Sequence, residues 1–457
     1  MVELAQENGC PVEAGPGPFQ TAAAVSDKPE PYPGPERRKK FRPGRPTDLA
    51  SAGINSAKLE ALILKLLLAC GLATGRTVSA RLGLPFALLL DELQRLQKQK
   101  LVTYTNVAEM GDYEYVLTEV GRARAREYIE DCAYIGEAPV SYEDYLAAVN
   151  AQTIANEHPQ EADLRRAFSD LLISDEMLRI LGPAINSGRG MFLYGAPGNG
   201  KTSVAERITK CFGESIWIPR VIDLGGQLVK LFDPSVHEVV ASRSEGTFRR
   251  SEDDGRWVEI RRPTVVVGGE LTLDRLEIRH DPVSRISEAS LQMKSNNGTL
   301  LIDDFGRQRM QPVELLNRMI IPLEKRYDFQ TLNNGKNVKI PFDQLTLFST
   351  NLEPKHLVDD AFLRRIPYKI QVTDPDETMF KKLIQLVAPK LGFDSLPDDP
   401  VDYLIEHHYR RVGRCFRSCQ PRDLLLQARN YCLYNGLPIQ LTRDVVDFSV
   451  GCYFTTM

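Results

Sequence analysis

Gly195-Ala-Pro-Gly-Asn-Gly-Lys201-Thr202 decides the fold. The stretch fits GxxxxGK[ST], the pattern of a phosphate-binding loop. Residues 191–194 form an apolar strand directly before it, and residues 204–212 carry a helical pattern directly after it. Gly195, Gly198 and Gly200 let backbone N–H groups close around phosphates, and the N-terminus of the following helix adds positive potential. Pro197, Asn199 and Ser203 complete the loop. Lys201 is placed to reach β- and γ-phosphates and Thr202 to hold Mg2+, so ATP and Mg2+ are the expected cofactors.

Such a loop needs an acid at the end of a neighbouring strand. Thr299-Leu-Leu-Ile-Asp303-Asp304-Phe-Gly306 is an apolar run that ends in two carboxylates. Asp303 suits the metal shell beside Thr202, and Asp304 lies where a water-activating carboxylate is required. A second apolar run, Leu345-Thr-Leu-Phe-Ser-Thr-Asn351, ends in an amide. Ala361-Phe-Leu-Arg364-Arg365-Ile366 holds two adjacent guanidinium groups, and Cys419-Gln-Pro-Arg422-Asp-Leu opens a helical pattern.

In this order and spacing the chain resembles the AAA+ ATPases over residues 161–457. The resemblance implies an α/β fold, a P-loop three-layer α/β core over 161–370, followed by a helical lid domain over 371–457. It implies that Asn351 acts as sensor 1 and that Arg364 or Arg365 is a finger reaching a neighbouring subunit's site. It also implies that Arg422 reads nucleotide from the lid. A finger in turn implies a homo-oligomer, expected as a hexameric ring. The chain departs from most of the family by having Asp304 where Glu is usual. Slow, switch-like turnover is therefore expected.

About 100 residues separate Lys201 from Asp303, roughly twice what a minimal core of this kind needs. Residues 220–295 are therefore expected to hold a β-hairpin insert. Residues 247–250 and 256–260 flank one turn, Glu252-Asp-Asp-Gly255, and residues 265–267 and 271–278 flank another, Gly268-Gly269. Residues 327–341 form a further hairpin around Asn333-Asn-Gly335. The pattern resembles the branch with a hairpin before sensor 1, whose insertions commonly face a pore or client. Arginines at 243, 249, 250, 256, 261 and 262 are countered by Glu245, Glu252, Asp253, Asp254 and Glu259, a mixture that suits a protein client.

Upstream, residues 1–52 are Pro- and Gly-rich and are expected to be a disordered tail. Residues 53–135 read helix, short helix, longer helix, β-hairpin, helix, and resemble a winged helix. That resemblance points to DNA, but charge argues otherwise. The segment carries ten Lys/Arg against ten Asp/Glu. DNA affinity depends on a basic excess, so protein docking is favoured and DNA is kept as the alternative. Residues 136–160 are expected to be a linker with a short helix.

Composition limits the rest. Lys+Arg is 57 and Asp+Glu is 61, a net charge of −4, which excludes a highly basic nucleic-acid coat. No apolar run reaches the roughly 18–20 residues of a bilayer span, because Lys65 breaks the best candidate, residues 59–72. The N-terminus lacks the pattern of a signal peptide. Eight scattered cysteines form no CxxC pair, so free thiols and a cytoplasmic location are expected.

Overall fold

Five short apolar runs build one all-parallel sheet. In spatial order they are Thr264–Val267, Thr299–Ile302, Leu345–Thr350, Met191–Tyr194 and Tyr368–Gln371. The computed structural model describes residues 41–457, except 109–110, 214, 241–252, 358–359, 394–395 and 455–457. Leu300, Leu301, Leu345, Leu347 and Phe348 are fully buried, as strands covered on both faces must be. On one face lie helices Glu161–Ala167, Asp175–Asn186 and Lys201–Thr209, through Leu164, Leu181 and Ile208. On the other lies helix Pro312–Lys325, through Leu315, Leu316 and Met319. The core is thus the expected three-layer α/β fold. Because the strands are parallel, the 195–200 loop, Asp303 and Asn351 all leave the sheet at its C-terminal edge, where ligands bind in such folds.

Helices Glu377–Val387, Asp398–Ile405, Gln420–Tyr434 and Arg443–Phe454 follow the last core strand. They share a separate cluster around Phe380, Tyr409, Leu424 and Val446. Tyr409 and Phe416 stack within it at 4.8 Å.

At the other end, helices Ser56–Cys70, Gly75–Leu82, Phe86–Lys98 and Glu119–Asp131 surround a three-stranded sheet. Its order is Leu72–Thr74, Tyr113–Leu117, Val102–Val107. Side chains of Asn55, Thr74 and Thr118 cap three of these helices. Gly83 ends the second helix at φ +69, and a Cβ there would lie 2.7 Å from the Gly255 carbonyl carbon. Only glycine satisfies both the left-handed conformation and that approach.

Four expectations are corrected. Residues 41–52 are built into the fold. Phe41 packs on Trp257 at 5.8 Å, the Pro43 carbonyl accepts from the Asp254 N–H, and Ala52 is buried. Proline richness had hidden these anchors, while residues 1–40 lie outside the described residues. Residues 136–160 hold the expected short helix but do more than connect. Val140–Ser141 joins a sheet edge beside Val221–Leu224, and helix Tyr142–Ala151 buries Tyr145 to 1% exposure. There the Tyr145 hydroxyl accepts from Asn296 Nδ2 at 2.9 Å. Residues 265–267 are not a hairpin arm. They belong to Thr264–Val267, the core strand that pairs in parallel with Thr299–Ile302. Residues 271–278 are not the returning arm, because Leu271 and Leu276 turn into the core around a short helical turn, Leu273–Leu276.

The insert is consequently split around that strand. Ser215–Pro219 pairs with Trp257–Arg261. The proposed partner at 247–250 lies outside the described residues. A mixed sheet runs Arg279–Asp281, Ile286–Glu288, Gln227–Lys230, Val221–Leu224, Val140–Ser141. Hairpin Tyr327–Thr331 with Asn337–Pro341 forms as expected. Among the described residues no helix is long and apolar enough to cross a membrane.

Two features make stability predictions. Arg256 and Asp254, 2% and 3% exposed, form a buried ion pair, and Arg256 also donates to the carbonyls of Ala52 and Pro139. Arg256→Ala strands a buried carboxylate and should cost about 3–5 kcal/mol, read by chemical denaturation. His237 is buried, with Nδ1 accepting from the Asp233 N–H and Nε2 on the Lys294 carbonyl. Burial holds its imidazole below the ordinary value. The unfolded chain therefore takes the proton first. This contribution is complete above about pH 6.5 and is lost as pH falls from there toward the lower folded value, by up to ~1.4 kcal/mol per pH unit. Denaturation midpoints at pH 7.5 and 5.5 should fall less in His237→Gln than in the unaltered chain.

Candidate functional site

The site is assembled where strand Met191–Tyr194 turns into helix Lys201–Thr209. Gly198 has φ +83, and a Cβ there would lie 2.5 Å from Cys419 Sγ. Only glycine accepts both that left-handed backbone and the approach of Cys419. Lys201 folds back into it. Its Nζ donates to the carbonyls of Gly195 at 3.0 Å and Ala196 at 3.1 Å, and to Asn351 Oδ1 at 2.7 Å.

From Asn351 the network continues. Its Nδ2 donates to Asp304 Oδ1 at 3.4 Å. The Asp304 N–H donates to Asp303 Oδ1 at 3.0 Å, and Thr202 Oγ1 donates to Asp303 Oδ2 at 2.8 Å. Since Thr202 follows Lys201, the hydrogen bonds close into a ring. Chain segments about 100 and 150 residues apart meet in it. The structure thus brings together Lys201, Thr202, Asp303, Asp304 and Asn351. Burial pushes the Lys201 ammonium below its ordinary value; Asp303 and Asp304 oppose that shift, and Arg417 adds to it.

Thr202 and Asp303 offer hydroxyl and carboxylate oxygens, a donor chemistry that suits a hard divalent cation. Lys201 and the loop N–H groups offer the donors an anion needs. The residues present therefore fit a metal–polyphosphate pair.

Asn199, 5% exposed, faces the opposite way. Its Nδ2 donates to Asp374 Oδ1 at 2.6 Å, and its Oδ1 accepts from the Ser418 N–H at 3.3 Å. Asp374 also pairs with Arg417. The Cys419 N–H donates to the Gly198 carbonyl at 2.8 Å. The C-terminal helical unit is thereby fastened directly to the loop. Pro197 is exposed, and Ser203 accepts through its carbonyl from Arg207.

The three remaining arginines lie elsewhere. Arg364 is exposed, just beyond the short helix Asp360–Leu363. Arg365 Nε donates to Glu324 Oε1 at 2.5 Å. Arg422 is 69% exposed and pairs with its neighbour Asp423 at 3.1 Å, so the structure does not bring it to the loop. Arg417 occupies that place. Sequence reasoning missed Arg417 and Asp374. Only Asp374 carried a signal, a carboxylate just beyond the C-terminal end of a core strand.

A family profile described as a domain of unknown function, DUF8689, matches residues 376–451, within the C-terminal helical unit. No curated protein matches the chain in sequence. Among solved structures, the chain is similar to NtrX from Brucella abortus, with 15% identity and a TM-score of 0.39, over 64% of this chain and 57% of that one. It is also similar to a point mutant of RuvB from Thermotoga maritima, with 14% identity and a TM-score of 0.35, over 66% and 72%. A third similarity is to the BchI–BchD complex of magnesium chelatase, with 16% identity and a TM-score of 0.30, over 66% and 94%. The chain thus spans little more than half the length of the NtrX chain.

The fastening makes a prediction. Asp374→Ala removes the acceptor shared by Asn199 and Arg417. Hydrogen exchange at the Cys419 amide should then quicken about tenfold, as expected for one lost hydrogen bond of ~1.4 kcal/mol.

Proposed function

We propose that this chain is an AAA+ ATPase that binds and hydrolyses ATP with Mg2+ and uses the cycle to remodel or regulate a protein partner. The observation that carries the reading is the closed ring of hydrogen bonds through Lys201, Asn351, Asp304, Asp303 and Thr202. It unites a phosphate-binding cation, a metal-binding oxygen pair and a water-orienting carboxylate at one sheet edge.

Thr202 and Asp303 would hold Mg2+, which when bound neutralises phosphate charge. The residues divide the remaining work. Lys201 and the N–H groups of the 195–203 loop bind phosphate, and Lys201 does so as the ammonium. Asp304 orients the attacking water and takes up its proton, while Asn351 fixes the Asp304 carboxylate. Arg364 is the better finger candidate, because Arg365 is already bound to Glu324. A finger acting in trans calls for an oligomer, and a hexameric ring is the arrangement we propose. Arg422 would read nucleotide only after the helical unit moves, whereas Arg417 is already beside the loop.

The N-terminal unit, which we read as a winged helix over residues 53–135, favours a protein partner. On helix Phe86–Lys98, Arg95 is bonded to Glu92 and Glu60, so its charge is spent inside the fold. The alternative, an ATP-dependent DNA-binding regulator, would need that charge on phosphates. Binding to duplex DNA with a steep salt dependence would favour it.

Turnover decides the main reading. Lys201→Ala should weaken ATP binding by ~10–100-fold, the loss of charged hydrogen bonds. Asp304→Asn should bind ATP normally and hydrolyse it at least ~100-fold more slowly. Arg364→Ala should bind normally and lose hydrolysis only in the assembled state. Unaltered chain that is no faster than Asp304→Asn would sink the ATPase reading. Partners retained by Asp304→Asn with ATP would identify the client.

A further inference from the structure

Asp304 has φ +46. Left-handed backbone is uncommon for a residue with a side chain, and Asp is among the few that accept it. Its neighbours are anchored on opposite sides. The Asp303 N–H is bonded to the Val267 carbonyl at 2.7 Å, and the Phe305 N–H to the Ser349 carbonyl at 2.7 Å. The buried Phe305 ring also packs on Phe192 and Phe348. The chain must therefore pass from one side of the acid strand to the other within a single residue.

One side chain spans that turn from within. Gln308 Nε2 donates to the carbonyls of Asp303 at 3.0 Å and Asp304 at 3.2 Å. Its Oε1 accepts from the Gly306 N–H at 2.8 Å. A single half-buried amide thus contacts the residues before, at and after the bend. The flanking positions already have sheet and aromatic anchors. The Asp304 carbonyl also accepts from the Arg307 N–H at 2.9 Å; what Gln308 adds is a link that ties that carbonyl to the Asp303 carbonyl and the Gly306 N–H.

We propose that Gln308 is a positioning residue: it holds Asp304 in the left-handed turn that turns its carboxylate toward Asn351 Nδ2. This rests on the ATPase reading above. It also accounts for Asp at this position. A glutamate would be less tolerant of the same backbone and would carry its carboxylate one methylene further.

The test is steady-state hydrolysis of Mg·ATP by the full chain and by Q308A and Q308E, with ATP affinity and thermal midpoint measured alongside. Q308E is isosteric and keeps an acceptor for the Gly306 N–H, but it turns a carboxylate toward two carbonyls. Both variants should lose about tenfold or more in kcat, as small misplacements of a reacting group do. ATP affinity should stay within about twofold, and the thermal midpoint, lowered by the lost hydrogen bonds, should stay well above the assay temperature. Either variant retaining the kcat of the unaltered chain overturns the inference alone. So does a kcat loss matched by an equal loss of ATP affinity, or by a midpoint fallen to the assay temperature, which would make Gln308 merely structural. If the unaltered chain is no faster than D304N, the ATPase reading fails and takes this inference with it.

Discussion

A buried ammonium group organises this protein. Lys201 lies largely out of water at the edge of a parallel sheet, and a cation so placed must be given partners. Two come from its own loop and the third from a strand end 150 residues away. That third bond requires the Leu345–Thr350 strand to lie between the strands that carry the loop and the acids. The strand order satisfies this requirement. With Lys201, Asn351 and the two aspartates interlocked, the edge presents fixed dipoles before any ligand arrives. For the hydrolysis proposed above, preorganisation of this kind would carry much of the rate.

The same edge is coupled to the C-terminal helices by short polar bonds. Asn199 belongs to the loop, yet it is held by Asp374 and by the Ser418 amide. Arg417 adds a positive charge close enough to act on Lys201. The loop and the helical unit are thus joined by a handful of polar bonds. The apolar cluster inside that unit is separate from the core clusters.

The parts of the site that sequence reveals are those written in contiguous residues. The loop, the Asp303–Asp304 pair and Asn351 each end an apolar run, and each is where that run implies. Gln308, Arg417 and Asp374 act through bonds to backbone atoms or to residues far along the chain, and no local pattern marks such bonds. The strand Thr264–Val267 shows the limit in the fold itself. Beside Gly268-Gly269 it reads as a hairpin arm, because its true partner, Thr299–Ile302, lies more than 30 residues away and pairs in parallel. Phe41 and Pro43 suffer the opposite fate. Composition places them in a tail, while Trp257 and the Asp254 amide hold them.

The contact of Gly83 with Gly255 carries a consequence for how the molecule can be taken apart. Backbone meets backbone there, and beside it the Arg256 guanidinium reaches the carbonyls of Ala52 and Pro139. The N-terminal unit is therefore no detachable module hung on a tether. Excising it would open the Arg256–Asp254 pair to water and strip the inserted strands of their cover. Inheritance should treat the two as one piece, so that gain or loss of the N-terminal unit in a related chain would be accompanied by a rewritten 253–257 turn.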